Sequence, residues 1–221
     1  MIGDEIRRGV FRDTKNFYEN ADETVYGEQL IAFAVPRLGH TVLDIGCATG
    51  NYCALLSRRG FTMTGADVNP VYVEKAKARG IDAHLANGPL PFADASFDSA
   101  IIFEVLEHVP DAGALVKEAR RVTRKNVLIT VPNSSHTAEM KAYGILYEHF
   151  ADLDHKNFFT RASLQQLLSP HFTRVTVTEG DPLHPSALFS SPLLRFIVKA
   201  LVKLRLVRPR YFFRLYAVAE I

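Results

Sequence analysis

Cysteine is scarce: the chain of 221 residues holds two, Cys47 and Cys53, with no matching pair elsewhere. Two thiols this close together offer neither a disulfide framework nor a thiolate zinc site, which predicts a reducing, cytoplasmic setting. Long apolar runs are missing as well. No uncharged stretch approaches the roughly 18 residues that a membrane span requires. Met1 to Phe11 mixes Asp4, Glu5, Arg7 and Arg8 and lacks the apolar centre of a secretory signal. No internal repeat is present. Acids are absent from one region: between Pro182 and Ala219 stand Arg195, Lys199, Lys203, Arg205, Arg208, Arg210 and Arg214, with no Asp or Glu. The formal charge of +2 therefore hides a basic C-terminal segment on an otherwise net acidic chain.

What is present is ordinary globular composition, 48% apolar and 23% charged, which argues against a disordered or collagenous chain. At about 150 residues per domain the length fits one domain over 1–221, with room for insertions. Thr41 to Ile45 (TVLDI) is an apolar run ending before glycine, as a buried strand feeding a tight turn does. Asn51 to Arg59 reads as a helix stopped by Gly60, Phe61 to Ala66 as a strand, and Val71 to Arg79 as a helix opened by Pro70 and closed by Gly80. The alternation continues through strand Ile81–Leu85, strand Phe97–Phe103, helix Ala112–Val122, strand Asn126–Val131, helix Arg161–Leu168 and strands Phe172–Thr178 and Tyr211–Ala219. Apolar strands alternating with helices predict a Rossmann-like α/β fold: a mostly parallel sheet with helices on both faces and ligands at the carboxyl ends of its strands.

Asp44-Ile45-Gly46-Cys47-Ala48-Thr49-Gly50 puts two glycines four apart between a strand and a helix, where small residues let a ligand approach the backbone. The dinucleotide fingerprint would need a glycine where Ala48 stands, so a pyrophosphate cradle is poorly supported. The stretch from Val42 to Gly50 resembles the first motif of class I S-adenosylmethionine-dependent methyltransferases. Leu90 to Asp98 (LPFADASFD) is similar to that family's segment before the fourth strand. The resemblance implies seven strands, the last one antiparallel. It also implies a donor site of Asp44, Gly46, Cys47, Ala48, Gly50, Asp67, Val68, Asn87, Gly88 and Glu104, with Asp67 taking the ribose hydroxyls and Asn87 meeting the adenine amino group.

Glu104-Val105-Leu106-Glu107-His108 follows the fourth strand at the edge where ligands bind. If helical, Glu104, Glu107 and His108 share a face, and two carboxylates with an imidazole suit a hard divalent ion or acid–base work. This pattern resembles the ubiquinone-pathway O-methyltransferase branch, with type 11 methyltransferases beside it, and also the small-RNA 2′-O-methyltransferases. The latter likeness implies a magnesium site of Glu104, Glu107, His108 and His155. Without a metal, His108 and His155 are the candidate bases, since imidazole titrates near neutral pH. His40, His84, His136, His149, His171 and His184 are scattered, and Tyr18, Tyr26, Tyr143 and Tyr147 are candidates to line an acceptor pocket.

Residues 133–158 break the strand–helix rhythm and read as a substrate lid. Residues 185–208 read as a helical insertion, with a helix over 187–207. There Arg195, Lys199 and Lys203 form a cationic stripe beside a broad apolar arc. Such a helix either caps the core or the substrate pocket, with its cations turned to water, or lies in a membrane interface through 193–210. The basic and aromatic interleaving of single-strand nucleic-acid binders is absent. The expected function is methyl transfer to an oxygen or nitrogen of a small molecule. The alternatives are metal-dependent RNA 2′-O-methylation and a non-catalytic donor-binding or membrane-docking protein.

Overall fold

The run TVLDI becomes β1 (Thr41–Ile45), and the computed structural model, which describes residues 28–137, 139, 154–182, 185 and 191–221, builds the domain outward from it. Helix α1 (Glu28–Ala34) precedes β1. There follow α2 (Asn51–Ser57), β2 (Thr62–Asp67), α3 (Pro70–Ala78), β3 (Ala83–Leu85), β4 (Phe97–Phe103), α4 (Ala112–Val122), β5 (Thr123–Pro132), α5 (Arg161–Leu168), β6 (Arg174–Pro182), α6 (Pro192–Lys203) and β7 (Phe212–Glu220). The seven strands form one sheet in the order β3-β2-β1-β4-β5-β7-β6. Strands β1 to β5 pair in parallel, and β7 runs antiparallel to both β5 and β6. The Rossmann-like fold read from the sequence is the fold observed.

Side chains that alternate along the central strands divide the core. Leu43, Ile45, Ala100, Ile102, Val127 and Ile129 pack beneath α4 and α5, whereas Val42, Ile101, Phe103 and Leu128 pack beneath α1 and α2. Strands buried on both faces can be apolar throughout, which is why β1, β4 and β5 read as near-continuous hydrophobic runs. The chain leaves β1 in one direction along the sheet and returns to β4 on its other side. The carboxyl ends of β1 and β4 thus flank the crevice where open α/β sheets bind ligands.

Local chemistry sets the helix starts. Asn69 accepts from the Val71 amide and Pro70 opens α3, Asp111 accepts from the Ala114 amide to start α4, and Thr160 and Ser163 satisfy each other's backbone N–H at the head of α5. Strand β3 is shorter than the run Ile81–Leu85, because Ile81 packs against Val73, Ala76 and Ala83 rather than entering the ladder. The C-terminal helix is Pro192–Lys203, set by the proline at its first turn, rather than 187–207. The expected lid over 133–158 lies largely outside the described residues, as do Tyr18, Tyr26, Tyr143, Tyr147, His149 and His184.

One carboxylate ties the start of β1 to the start of β4. Asp98 Oδ2 accepts from the backbone N–H of His40 (3.1 Å) and Thr41 (3.2 Å), and Oδ1 faces Arg124 and Lys125. The Thr41 amide first, and then Lys125 and Arg124, hold its pKa down at about 2, against a smaller upward pull from burial. A depressed carboxyl contributes stability above its ordinary pKa and loses it as pH falls through the folded value. In urea titrations, the advantage of the native chain over Asp98→Asn should be full at pH 5 and shrink between about pH 4 and 2.

Candidate active site

The turn after β1 is built by backbone hydrogen bonds. The N–H groups of Gly46 (2.7 Å) and Cys47 (3.1 Å) both donate to the Ala66 carbonyl, and that of Gly50 donates to Cys47 O (2.8 Å). Gly46 and Gly50 are in the left-handed region, at φ +80° and +82°. A Cβ on Gly46 would lie 2.4 Å from Val105 Cγ2, and one on Gly50 would lie 2.8 Å from Ile81 Cγ1. Both positions therefore require glycine for conformation and for space. Ala48 also has a positive φ, +46°, which points its N–H at Asp67 Oδ2 (2.8 Å). Asp67 Oδ1 accepts from the Asn69 amide at 2.8 Å. The carboxylate at the end of β2 is thus oriented by two backbone donors, one of them in the glycine turn, and each oxygen keeps capacity to accept again. Burial raises its pKa, and the Asn69 and Ala48 amides pull it partly back.

Asp44 lies deeper, at 1% exposure. Its described partner is weak: Cys53 Sγ donates to Oδ2 at 3.5 Å. Burial drives its pKa up to about 7, with the Cys53 bond lowering it and the Asp67 charge adding to the rise. Cys47 and Cys53 are buried free thiols, and burial beside these carboxylates pushes both pKa values up, so neither is an activated nucleophile. Val68 is 65% exposed beside Asp67, and Asn87 and Gly88 are exposed in the bend after β3, at the same sheet edge. Apart from Glu104, which is engaged elsewhere, the residues expected to hold the donor line one rim along the ends of β1, β2 and β3.

The segment after β4 departs from the expected helix. Glu104 has φ +55° and the chain continues as a turn, so Glu104 does not share a face with Glu107 and His108. Its carboxylate is taken by Arg214 of β7, with Nε to Oε1 at 2.9 Å, and Arg214 also bonds Asp181 at the end of β6. Tyr216 donates to the same Asp181 carboxylate at 2.9 Å. Glu104 is therefore withdrawn from the expected metal set. The other three members do come together: ligand atoms of Glu107, His108 and His155 all lie within 4.8 Å of one another, and the two imidazoles pack edge to face at 4.7 Å. One carboxylate and two imidazoles match a borderline transition ion; magnesium prefers an all-oxygen set, so these residues do not fit it.

Asn157, which the sequence reading passed over, fastens this cluster. Its side-chain amide donates to the carbonyls of Leu106 (2.9 Å) and Val109 (2.7 Å), while the N–H groups of Lys156 and Asn157 donate to Glu107 O. Arg79 braces the start of α2 through Thr49 O and Asn51 Oδ1 (2.8 Å). Both roles depend on contacts between distant segments, and the only signal available was that Asn157 sits beside His155.

A sheet of order 3-2-1-4-5-7-6, a glycine turn after β1 and a carboxylate held at the end of β2 define the class of S-adenosylmethionine-dependent methyltransferase folds. The family described as "Methyltransferase domain" matches residues 16–170, and the chain belongs to it. It is 33% identical over 138 residues to methyltransferase GfsG of Streptomyces halstedii, an alignment covering 56% of this chain and 49% of the relative. It is 32% identical over 117 residues to a ubiquinone biosynthesis O-methyltransferase of Brucella ovis, covering 50% and 46%. The chain thus spans somewhat under half the length of these curated relatives. A SAM-dependent methyltransferase from Archaeoglobus fulgidus has the same fold, with a TM-score of 0.69 at 17% identity, covering 94% of this chain and 98% of that one.

The burial of Asp44 has a measurable cost. An acid whose pKa rises from 3.8 to about 7 on folding loses stability as pH climbs through that window, by up to about 4 kcal/mol at about 1.4 kcal/mol per pH unit. Asp44→Asn should be more stable than the native chain at pH 8 and nearly equal to it at pH 4, as read from urea midpoints.

Proposed function

We propose that this protein transfers a methyl group from S-adenosylmethionine to an oxygen or nitrogen of a small-molecule acceptor. The observation that carries the reading is Asp67, whose carboxylate stands at the end of β2 with both oxygens oriented by backbone amides and open to accept a vicinal diol. Asp44 is a buried acid with one weak thiol partner among the described residues, and its charged form suits a cationic ligand. Val68 supplies an apolar wall beside the ribose position, and Asn87 and Gly88 form the rim where the base would rest. Ala48, Cys47 and the two glycines keep the turn low.

The donor supplies a methyl group on a sulfonium, so the acceptor–carbon bond forms as the carbon–sulfur bond breaks and the acceptor's proton must leave. His108 and His155, packed edge to face beyond β4, are the residues assigned to take that proton, with Glu107 Oε1 4.0 Å from His108 Nε2. In-line displacement from an activated leaving group needs mainly positioning, and Asn157 fixes the loop on which His108 rides. No metal enters this scheme. A small-molecule acceptor is supported over RNA because the four-ligand metal set is broken by the Glu104–Arg214 pair, and a curated relative is named for ubiquinone O-methylation.

Calorimetry with S-adenosylhomocysteine tests the donor site: the native chain should bind, and Asp67→Ala should weaken binding at least tenfold through loss of charge-assisted hydrogen bonds. Absence of heat from the native chain removes the reading. In an acceptor screen, His108→Asn and His155→Asn should bind the product donor normally, and the variant lacking the base should turn over roughly 100-fold or more slowly. A native chain that binds donor and methylates nothing in that screen would instead be a binding protein.

A further inference from the structure

Helix α6 buries none of its residues, although a broad apolar arc runs along it. Leu193, Phe196, Ile197, Ala200 and Leu204 follow one another at i, i+3, i+4, i+7 and i+11, which places them on one stripe of the helix. Leu193 is 68% exposed, Phe196 71% and Leu204 67%, with Leu206 beyond the helix end at 70%. A monomer rarely leaves such a row in water. Lys199 and Lys203 flank the stripe, Arg205 and Arg208 follow it, and no acid occurs between Pro182 and Ala219. At 12 residues the helix is about 18 Å long, and no helix among the described residues is long and apolar enough to cross a membrane.

We infer that α6 docks this protein on an anionic lipid surface, lying in the interface with Leu193, Phe196 and Ile197 inserted and the lysines among the headgroups. The charge pattern selects the occupant. A protein partner or a second copy would be met by mixed charge or neutral apolar surface, whereas an acid-free run of cations around an apolar stripe complements anionic headgroups. The topology gives the docking a direction. Strand β6 ends at Pro182 and β7 begins at Phe212, paired with each other, and Arg214 pairs with Pro132 at the end of β5. The segment carrying α6 therefore leaves and re-enters the sheet at the same carboxyl edge that holds Asp44, Asp67 and the histidine pair. A surface bound by α6 faces that edge, so the acceptor is a small molecule dissolved in the bilayer. This last step rests on the methyl-transfer reading; the docking does not.

Sedimentation of the full chain with vesicles is the test. Vesicles of phosphatidylcholine mixed with phosphatidylglycerol, at low ionic strength, should bind the chain at least tenfold more strongly than vesicles of phosphatidylcholine alone. Each cation near such a surface strengthens binding about fivefold, so Lys199→Glu with Lys203→Glu should reduce it by tenfold or more. Phe196→Glu with Ile197→Glu should also release the chain. All four positions are exposed, and an unchanged heat with S-adenosylhomocysteine reports that each variant is folded and that the donor site is separate. Equal binding to both vesicle types, or binding untouched by either variant, overturns the docking while leaving the donor site standing. A concentration-dependent dimer that Phe196→Glu abolishes also overturns it, because the stripe then belongs to a second copy. Loss of the calorimetric heat in the native chain, with vesicle binding retained, supports the docking and removes the methyl-transfer reading.

Discussion

The contact between the Ala48 amide and the Asp67 carboxylate adds a side-chain tie to the two backbone bonds by which Gly46 and Cys47 hold the glycine turn to Ala66. On one side is the glycine loop, whose left-handed residues let backbone N–H groups converge on the end of β2. On the other is a carboxylate whose pKa burial raises and the backbone donors pull back down. With that contact, the first turn has one shape, Gly50 starts α2 against Ile81, and the crevice beside β1 has a floor. The Asn69 amide holds the other oxygen of the same carboxylate, so the acid is fixed from both sides. The parallel sheet supplies the placement, since strands running the same way bring the ends of β1, β2, β3 and β4 to one rim.

Much of this was legible in the sequence, and the reason is locality. Strands β1 and β4 are buried on both faces and so announce themselves as unbroken apolar runs, and α4 and α5 begin at capping residues that the sequence displays. The glycine turn and Asp67 were readable because their chemistry depends on near neighbours. Glu104 was not. Its conformation depends on Arg214, far along the chain, and an isolated E-x-x-E-H pattern gives no hint that its first acid is claimed by the last strand. The helical reading of that segment failed for the same reason: a tertiary ion pair and a left-handed backbone override a periodicity of three and four. The sequence left two readings of α6 open, core cap and interface helix. The observed exposure of its apolar stripe speaks against burial in the core.

The two acids of the rim, one buried and one half-buried, sit in different electrostatic settings. Asp67 is held by backbone donors that offset part of its burial, whereas Asp44 is kept in an environment that disfavours its charge. The arrangement also explains the thiols. Cys47 and Cys53 fill space beside Gly65, where a Cβ would lie 2.7 Å from Cys47 Sγ, and their raised pKa values make them packing groups rather than reagents.

Asn157 and the Glu107 carbonyl have a consequence for how such a protein can change. The two histidines stand on separate segments, yet the backbone of each is stitched to the other, and Ser134 is tied in turn to Phe159. Among the described residues these ties come from backbone groups and from the Asn157 amide, so the register of the two imidazoles is set by the main chain around them. A pair of side chains held in this way keeps its geometry when neighbouring surface residues change, because its alignment is carried by carbonyls and amides that every sequence possesses.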